Sequence, residues 1–171
     1  HMRVPGDITA GVDGPDHAES WTERFNFQAP EWATDGEHKM LSNEKLNPVP
    51  DKHYNLGFGT AFYSVAAAPG SARQPDAQAA DKAIELLREH KDEPFFLAVG
   101  FVRPHVPLVS PAEYYDPYTP SELSLPPTYE GDWGDIPKPG ISGYNSQRRG
   151  IDSSEQKQEI LQAYYAAVTF M

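Results

Sequence analysis

The chain of 171 residues contains no cysteine. Disulfide bonds and cysteine-ligated zinc are therefore excluded, and cysteine usage gives no indication of the redox compartment. No apolar run approaches the length of about 18 residues that a transmembrane helix requires. Residues 1–15 also contain no apolar stretch long enough for a signal peptide.

Positive charge is scarce as well. The chain has 14 Lys and Arg residues against 25 Asp and Glu residues, which gives a formal net charge of −11. Because binding to phosphate needs a basic surface, this charge disfavours nucleic acid and anionic membranes as partners.

Proline and glycine, in contrast, are abundant, with 17 and 13 residues. These numbers are too high for a helical bundle, whereas 8 Phe, 9 Tyr and 3 Trp supply enough apolar surface for one core. We expect a globular domain with long ordered loops over the first seventy residues and over 103–150.

The middle of the chain has the clearest pattern. Apolar residues at three- and four-residue spacing predict a helix over 76–90, with Asp76 as its N-cap. The continuous apolar run over 94–102 predicts a strand buried on both faces, and residues 61–66 predict another short strand. A helix followed by a buried strand is half of a parallel βαβ unit, so the fold class is α/β.

Two further helical segments are predicted towards the C-terminus. Pro111 favours a single helical turn up to Tyr115. Ser153 and Gln156 have the spacing of a capping box in front of a helix over 154–171. The apolar stripe predicted for that helix comprises Ile160, Leu161, Tyr164, Tyr165, Val168 and Met171.

One segment is a candidate for a catalytic site. Residues 103–107, with the sequence Arg-Pro-His-Val-Pro, directly follow the predicted buried strand. Ligands bind beyond the carboxyl ends of parallel strands, and the two prolines restrict the backbone around His105. Arg103 can bind an oxyanion while the His105 imidazole donates a proton to a leaving oxygen. The alternative is a loop histidine that bonds the backbone beside a surface arginine.

The other polar clusters indicate solvated surface. Four histidines have no ligand-type spacing to one another, namely His17, His38, His53 and His90. Two aspartate pairs lack the oxygen-ligand pattern of a calcium loop, namely Asp13 with Asp16 and Asp132 with Asp135. No metal ligands are assigned in this chain, and neither a phosphate loop nor a Gly-x-Ser-x-Gly elbow occurs.

The run Pro94–Pro107 resembles the central segment of sulfatases of the iduronate-2-sulfatase type. In that family a strand rich in Phe, Leu and Val precedes a Lys- or Arg-Pro-His-x-Pro loop. The helix over 79–90 and the closing segment 162–171 are similar too. Residues 1–8 resemble the stretch that begins at the His of the family's Gly-Lys-x-x-His motif, although His1-Met2 is also a common remnant of expression vectors.

This resemblance implies an alkaline-phosphatase-like α/β sandwich with a mostly parallel sheet and long Pro- and Gly-rich loops. It implies hydrolysis of sulfate esters, with a sulfated small molecule or saccharide as substrate. His105 takes the place of the active-site histidine, whereas Arg103 and His1 take substrate-binding places. The resemblance further implies a Ca²⁺ cofactor and a periplasmic or extracellular location.

The sequence also departs from the family pattern, because the family's nucleophile and metal ligands are missing. The family's nucleophile is a formylglycine made from the Cys or Ser of a Cys/Ser-x-Pro-Ser-Arg motif, and this sequence contains no such motif. The family's Asp-Asp and Asp-His metal ligands are also missing. We therefore expect residues 1–171 to form a single partial domain, the central part of a sulfatase catalytic domain with both flanks missing, that is inactive alone.

Two other functions stay open at this point. A related phosphodiesterase or phosphonate hydrolase shares the architecture, and the nucleophile motif of the full-length gene would separate it from a sulfatase. A non-catalytic α/β binding module is the other alternative. The charge of −11 makes such a module a poor general receptor for anionic polymers.

Overall fold

The computed structural model describes residues 18–27, 29–30, 33–40, 63–132, 134–140, 151 and 153–171. This part of the chain is α/β, as predicted, with a small mixed sheet and two helices. The strands and helices follow one another as β1 (Gly36–Met40), β2 (Tyr63–Ala67), α1 (Pro75–Glu89), β3 (Leu108–Pro111) and α2 (Ser154–Phe170). Short 3₁₀ turns lie at Ala18–Ser20, Ala112–Tyr114, Pro120–Glu122 and Lys138–Gly140.

The sheet has the order β1-β2-β3, with β1 antiparallel to β2 and β2 parallel to β3. Because α1 lies between two parallel neighbours in the chain, β2, α1 and β3 form the expected βαβ connection. Strand β1 falls in a segment predicted as loop. Its residues are mostly polar and exposed, so it lacks the apolar alternation by which a strand is recognised.

The prediction of a buried strand over 94–102 is wrong for this structure. The segment forms no strand, and the parallel partner of β2 is β3, which starts at Leu108. Phe95, Phe96 and Phe101 are exposed, Phe96 to 82%. An apolar run indicates strand propensity only, because pairing depends on which backbone lies alongside, and no described strand pairs with this segment.

Helix α1 confirms its prediction to within one residue at each end. Its N-cap, however, is Gln74, which is followed by Pro75 at the first helical position, so the prediction of Asp76 as N-cap is wrong. The buried residues of α1 are Pro75 and Asp76, both in its first turn. The apolar face farther along is only partly covered, and Leu87 is 48% exposed.

Helix α2 also forms where it was predicted, but a different face is buried. Its buried residues are Ala163, Ala166 and Ala167, whereas Tyr164 and Tyr165 of the predicted stripe are exposed. The small alanines let the helix approach β3 closely, so that Ala163 and Ala167 form a core cluster with Leu108. Three partly buried apolar residues pack against this cluster: Val106, Tyr115 and Ile160.

The loop after β3 is held by the polar side chains of α2. Gln158 Nε2 donates to the Leu123 carbonyl oxygen at 3.0 Å, and Gln162 Nε2 donates to that of Tyr118 at 2.6 Å. The helical turn predicted over 111–115 is present as the 3₁₀ turn Ala112–Tyr114. In the described part of the chain, neither helix is long and apolar enough to cross a membrane.

The capping box at the start of α2 is confirmed. The Gln156 backbone N–H donates to Ser153 Oγ at 3.1 Å, and the Ser153 N–H donates to Gln156 Oε1 at 3.2 Å. In the same turn, hydrogen bonds from its own backbone amide and from Ser153 lower the pKa of Glu155.

We expect Ser153→Ala to lower the free energy of unfolding by about 1 kcal/mol, because one backbone N–H of the first turn loses its partner. Urea unfolding followed by circular dichroism measures the difference. Ser154→Ala is the matched control, since Ser154 is exposed and makes neither bond of the box. Equal losses in the two variants would contradict the role given to the Ser153 hydroxyl.

Candidate functional site

The predicted site residue His105 lies in the loop 103–107, which directly precedes β3 on the connection from α1. It is partly buried, and its backbone N–H donates to the Val102 carbonyl oxygen at 3.0 Å. The peptide bonds Arg103–Pro104 and Val106–Pro107 are both cis. Because 94–102 is not a strand, His105 precedes the first residue of β3 instead of following the end of a strand, so that part of the placement argument is wrong.

The imidazole of His105 is oriented by its neighbour in the chain. Its Nδ1 lies 2.5 Å from the Val106 carbonyl oxygen. A carbonyl oxygen can only accept a hydrogen bond, so Nδ1 must carry its hydrogen in this arrangement.

Arg103 is a buried residue, with only 2% of its surface exposed. Its Nε donates to the Val109 carbonyl oxygen at 2.8 Å, and its Nη1 donates to that of His105 at 3.4 Å. The guanidinium thus contacts two backbone carbonyl oxygens, one in its own loop and one in β3, so Arg103 is not a surface arginine. Its predicted contact with a substrate anion stays a prediction.

Asp76 joins the first turn of α1 to the beginning of the same loop. Its side chain is buried, and Oδ1 accepts from the Val102 N–H at 2.5 Å while Oδ2 accepts from the Arg103 N–H at 3.2 Å. Sequence reasoning missed this role. An acidic residue at a helix start is typical of a local cap, and nothing in the spacing indicates a contact with residues 26 and 27 positions away.

Tyr115 packs beside the loop and donates its hydroxyl hydrogen to the Leu108 carbonyl oxygen at 3.3 Å. Burial raises the pKa of the Tyr115 phenol. The neutral form, which can donate this bond, is therefore favoured further in the folded protein.

The histidines predicted to lie on the surface have local partners where the structure describes them. His38 is exposed, and its Nε2 lies 2.8 Å from the Thr34 carbonyl oxygen. His90 Nδ1 lies 2.6 Å from Glu93 Oε1, and this hydrogen bond raises the pKa of His90. Several residues considered above lie outside the described residues: His1, His17, His53, Asp13 and Asp16.

The calcium ion implied by the family resemblance finds no ligand set in the described part. No group of three or more His, Asp or Glu side chains there is arranged to hold a metal ion. Asp132 and Asp135 are both exposed. The described residues therefore do not fit the ion.

Comparison with known proteins gives a consistent result. The family model described as Sulfatase matches residues 14–171. A sulfatase of Formosa agariphila is 39% identical over 102 residues, which cover 57% of this chain and 20% of that protein. The iduronate 2-sulfatases of Mus musculus and Homo sapiens are 34% and 33% identical, again with 57% of this chain and 20% of each relative covered.

The chain thus spans about a fifth of the length of these curated relatives. The resemblance to sulfatases of the iduronate-2-sulfatase type, drawn from Pro94–Pro107, is confirmed by the family match and by the relatives' names. Since the match covers nearly all of the 171 residues, the chain belongs to the sulfatase family.

Proposed function

We propose that this chain is the central part of a sulfatase catalytic domain that hydrolyses the sulfate ester of a carbohydrate. The observation that carries the proposal is the family match over residues 14–171. The names of two relatives, iduronate 2-sulfatase, favour a sulfated saccharide as substrate. Membership in the family also favours an alkaline-phosphatase-like α/β sandwich and a periplasmic or extracellular location.

In this proposal His105 is the general acid. When the bond between sulfur and the ester oxygen breaks, the electron pair of that bond goes to the oxygen. The protonated imidazole gives its Nε2 hydrogen to this oxygen and the alcohol leaves. The bond from Nδ1–H to the Val106 carbonyl oxygen keeps the ring in one orientation during the transfer.

The nucleophile and the metal ligands that the reaction needs are not assigned to this chain. The chain contains no Cys and no Ser-x-Pro-Ser-Arg motif, so the proposal puts the nucleophile in another part of a longer protein, together with the ligands of the family's metal. Arg103 and His1 are proposed to contact the sulfate. Arg103 would make this contact while its Nε and Nη1 keep their bonds to the Val109 and His105 carbonyl oxygens.

The proposal is tested by assaying the full-length gene product on three esters of the same alcohol: a sulfate monoester, a phosphate diester and a phosphonate monoester. We expect the sulfate ester to have the highest kcat/KM, and the 171-residue chain alone to turn over none of them. Faster hydrolysis of either phosphorus ester would replace the sulfatase by a phosphodiesterase or phosphonate hydrolase. Binding of a sulfated saccharide without any turnover would favour a binding module.

A further inference from the structure

We infer that Asp76 and Arg103 are positioning residues that hold His105 in its working orientation. The inference rests on the proposed role of His105 as general acid. It gives the buried Arg103 a task other than the anion contact, and it adds to the site a residue from the first turn of α1.

Asp76 supports the backbone at the beginning of the loop. A carboxylate that is only 3% exposed needs hydrogen-bond donors, because burying an unpaired charge is costly. Its two oxygens accept the Val102 and Arg103 N–H groups, one each. The position in the first turn of α1 adds the favourable field of the helix dipole. Asp76 therefore fixes the point at which the chain enters the loop.

The Arg103 side chain begins where Asp76 holds the backbone. Its Nε reaches the Val109 carbonyl oxygen in β3, and its Nη1 reaches the carbonyl oxygen of His105 itself. The two residues together hold the loop at its beginning, at its histidine and at its end. Both are almost fully buried, so water competes little for these bonds.

Proton donation by His105 depends on where its imidazole is held. A proton donor acts only from within hydrogen-bond distance of the accepting oxygen, and a displacement of about 1 Å can cost up to about 10²-fold in rate. The planar guanidinium donates at two separated points, which the single ammonium nitrogen of a lysine does not reproduce. Loss of either positioning residue should therefore weaken catalysis through His105.

The test uses kcat/KM of the full-length gene product for an alkyl sulfate and for an activated aryl sulfate. Asp76→Ala is expected to reduce the alkyl sulfate value by up to about 10²-fold and the aryl sulfate value much less, because only the alkoxide needs the proton. Asp76→Asn keeps one acceptor oxygen and should fall between Asp76→Ala and the unchanged protein. Asp92→Ala, at an exposed aspartate just beyond α1, is the matched control and should change neither value.

Arg103→Lys separates positioning from direct anion binding. A lost sulfate contact lowers both esters by a similar factor, whereas a positioning role, alone or beside that contact, predicts a distinctly larger loss for the alkyl sulfate than for the aryl sulfate. The double variants Asp76→Ala/His105→Ala and Arg103→Lys/His105→Ala should show no ester-dependent loss beyond that of His105→Ala. Residues that act through one group are not additive.

The outcomes separate the role of His105 from the roles of Asp76 and Arg103. If His105→Ala affects both esters equally, the proposed role of His105 fails, and the positioning inference fails with it. If His105→Ala is ester-dependent but Asp76→Ala, Asp76→Asn and Arg103→Lys lower both esters equally, only the positioning inference is overturned.

Discussion

Replacing His105 by alanine in the full-length gene product is expected to lower kcat for an alkyl sulfate by about 10²–10⁴-fold, the usual contribution of a positioned general acid. The same change should have much less effect on an activated aryl sulfate. Its phenolate leaves readily, so the reaction hardly depends on the proton from Nε2. Steady-state kinetics with the two esters measures this difference directly.

The effect should be specific to His105 among the histidines of the chain. His90→Ala is the matched control, because the His90 imidazole is paired with Glu93 just after α1 and His90 lies outside residues 103–107. Small and equal effects of His105→Ala on both esters would remove His105 from the mechanism.

Leu108→Ala is expected to lower the free energy of unfolding by about 2–5 kcal/mol, the range for removing a buried leucine side chain. Leu108 is 1% exposed and packs against Ala163 and Ala167, whose small side chains cannot fill the space left behind. Strand β3 and helix α2 would both lose their shared contact, so the loss should lie towards the upper part of the range.

Urea unfolding of the full-length gene product measures this loss, and Leu87→Ala is the matched control. Leu87 is 48% exposed on α1, so its truncation should cost much less. Ala167→Leu tests the same contact from the other side, because the added methylene groups would push α2 away from β3 at a cost of about 1–3 kcal/mol. A larger effect at Leu87 than at Leu108 would contradict the assigned core.

The two helices could be predicted from sequence because their signals are local. The spacing of apolar residues defines α1, and the bonds between Ser153 and Gln156 define the start of α2 within four residues. Which face of α2 is buried depends on what packs against it, and the approach of β3 selects the alanines over the larger apolar side chains. That choice is not encoded in the periodicity of the helix alone.

The strands were predicted less well because pairing is not local. The apolar run 94–102 has a stronger strand pattern than Leu108–Pro111, yet the shorter segment lies beside β2. Strand β1 has hardly any apolar pattern, and it forms by antiparallel pairing with β2. Sequence reasoning therefore found the α/β class and the βαβ connection but not the strand that closes it.

The site residues differ in the same way: local patterns in the sequence were recognised, whereas contacts that depend on packing were not. The two prolines and the family motif predicted a role for His105 from five consecutive residues, and that role stays a prediction. The burial of Arg103 and its bonds to two carbonyl oxygens could not be predicted, since an arginine in a loop is usually exposed. The contribution of Asp76 depends on how α1 and the loop pack, and no pattern within either segment indicates it.

The link from Asp76 to the Val102 and Arg103 amides has a consequence for recognising such sites. The loop 103–107 is supported at its beginning by Asp76, which lies 26 positions before Val102 and 27 positions before Arg103. In an unrelated scaffold, the pentapeptide would keep its sequence but would lose the hydrogen bonds that link its beginning to Asp76. A search signature for this geometry is therefore bipartite: an acid in the first turn of a helix, and the Arg-Pro-His-x-Pro loop beyond the helix.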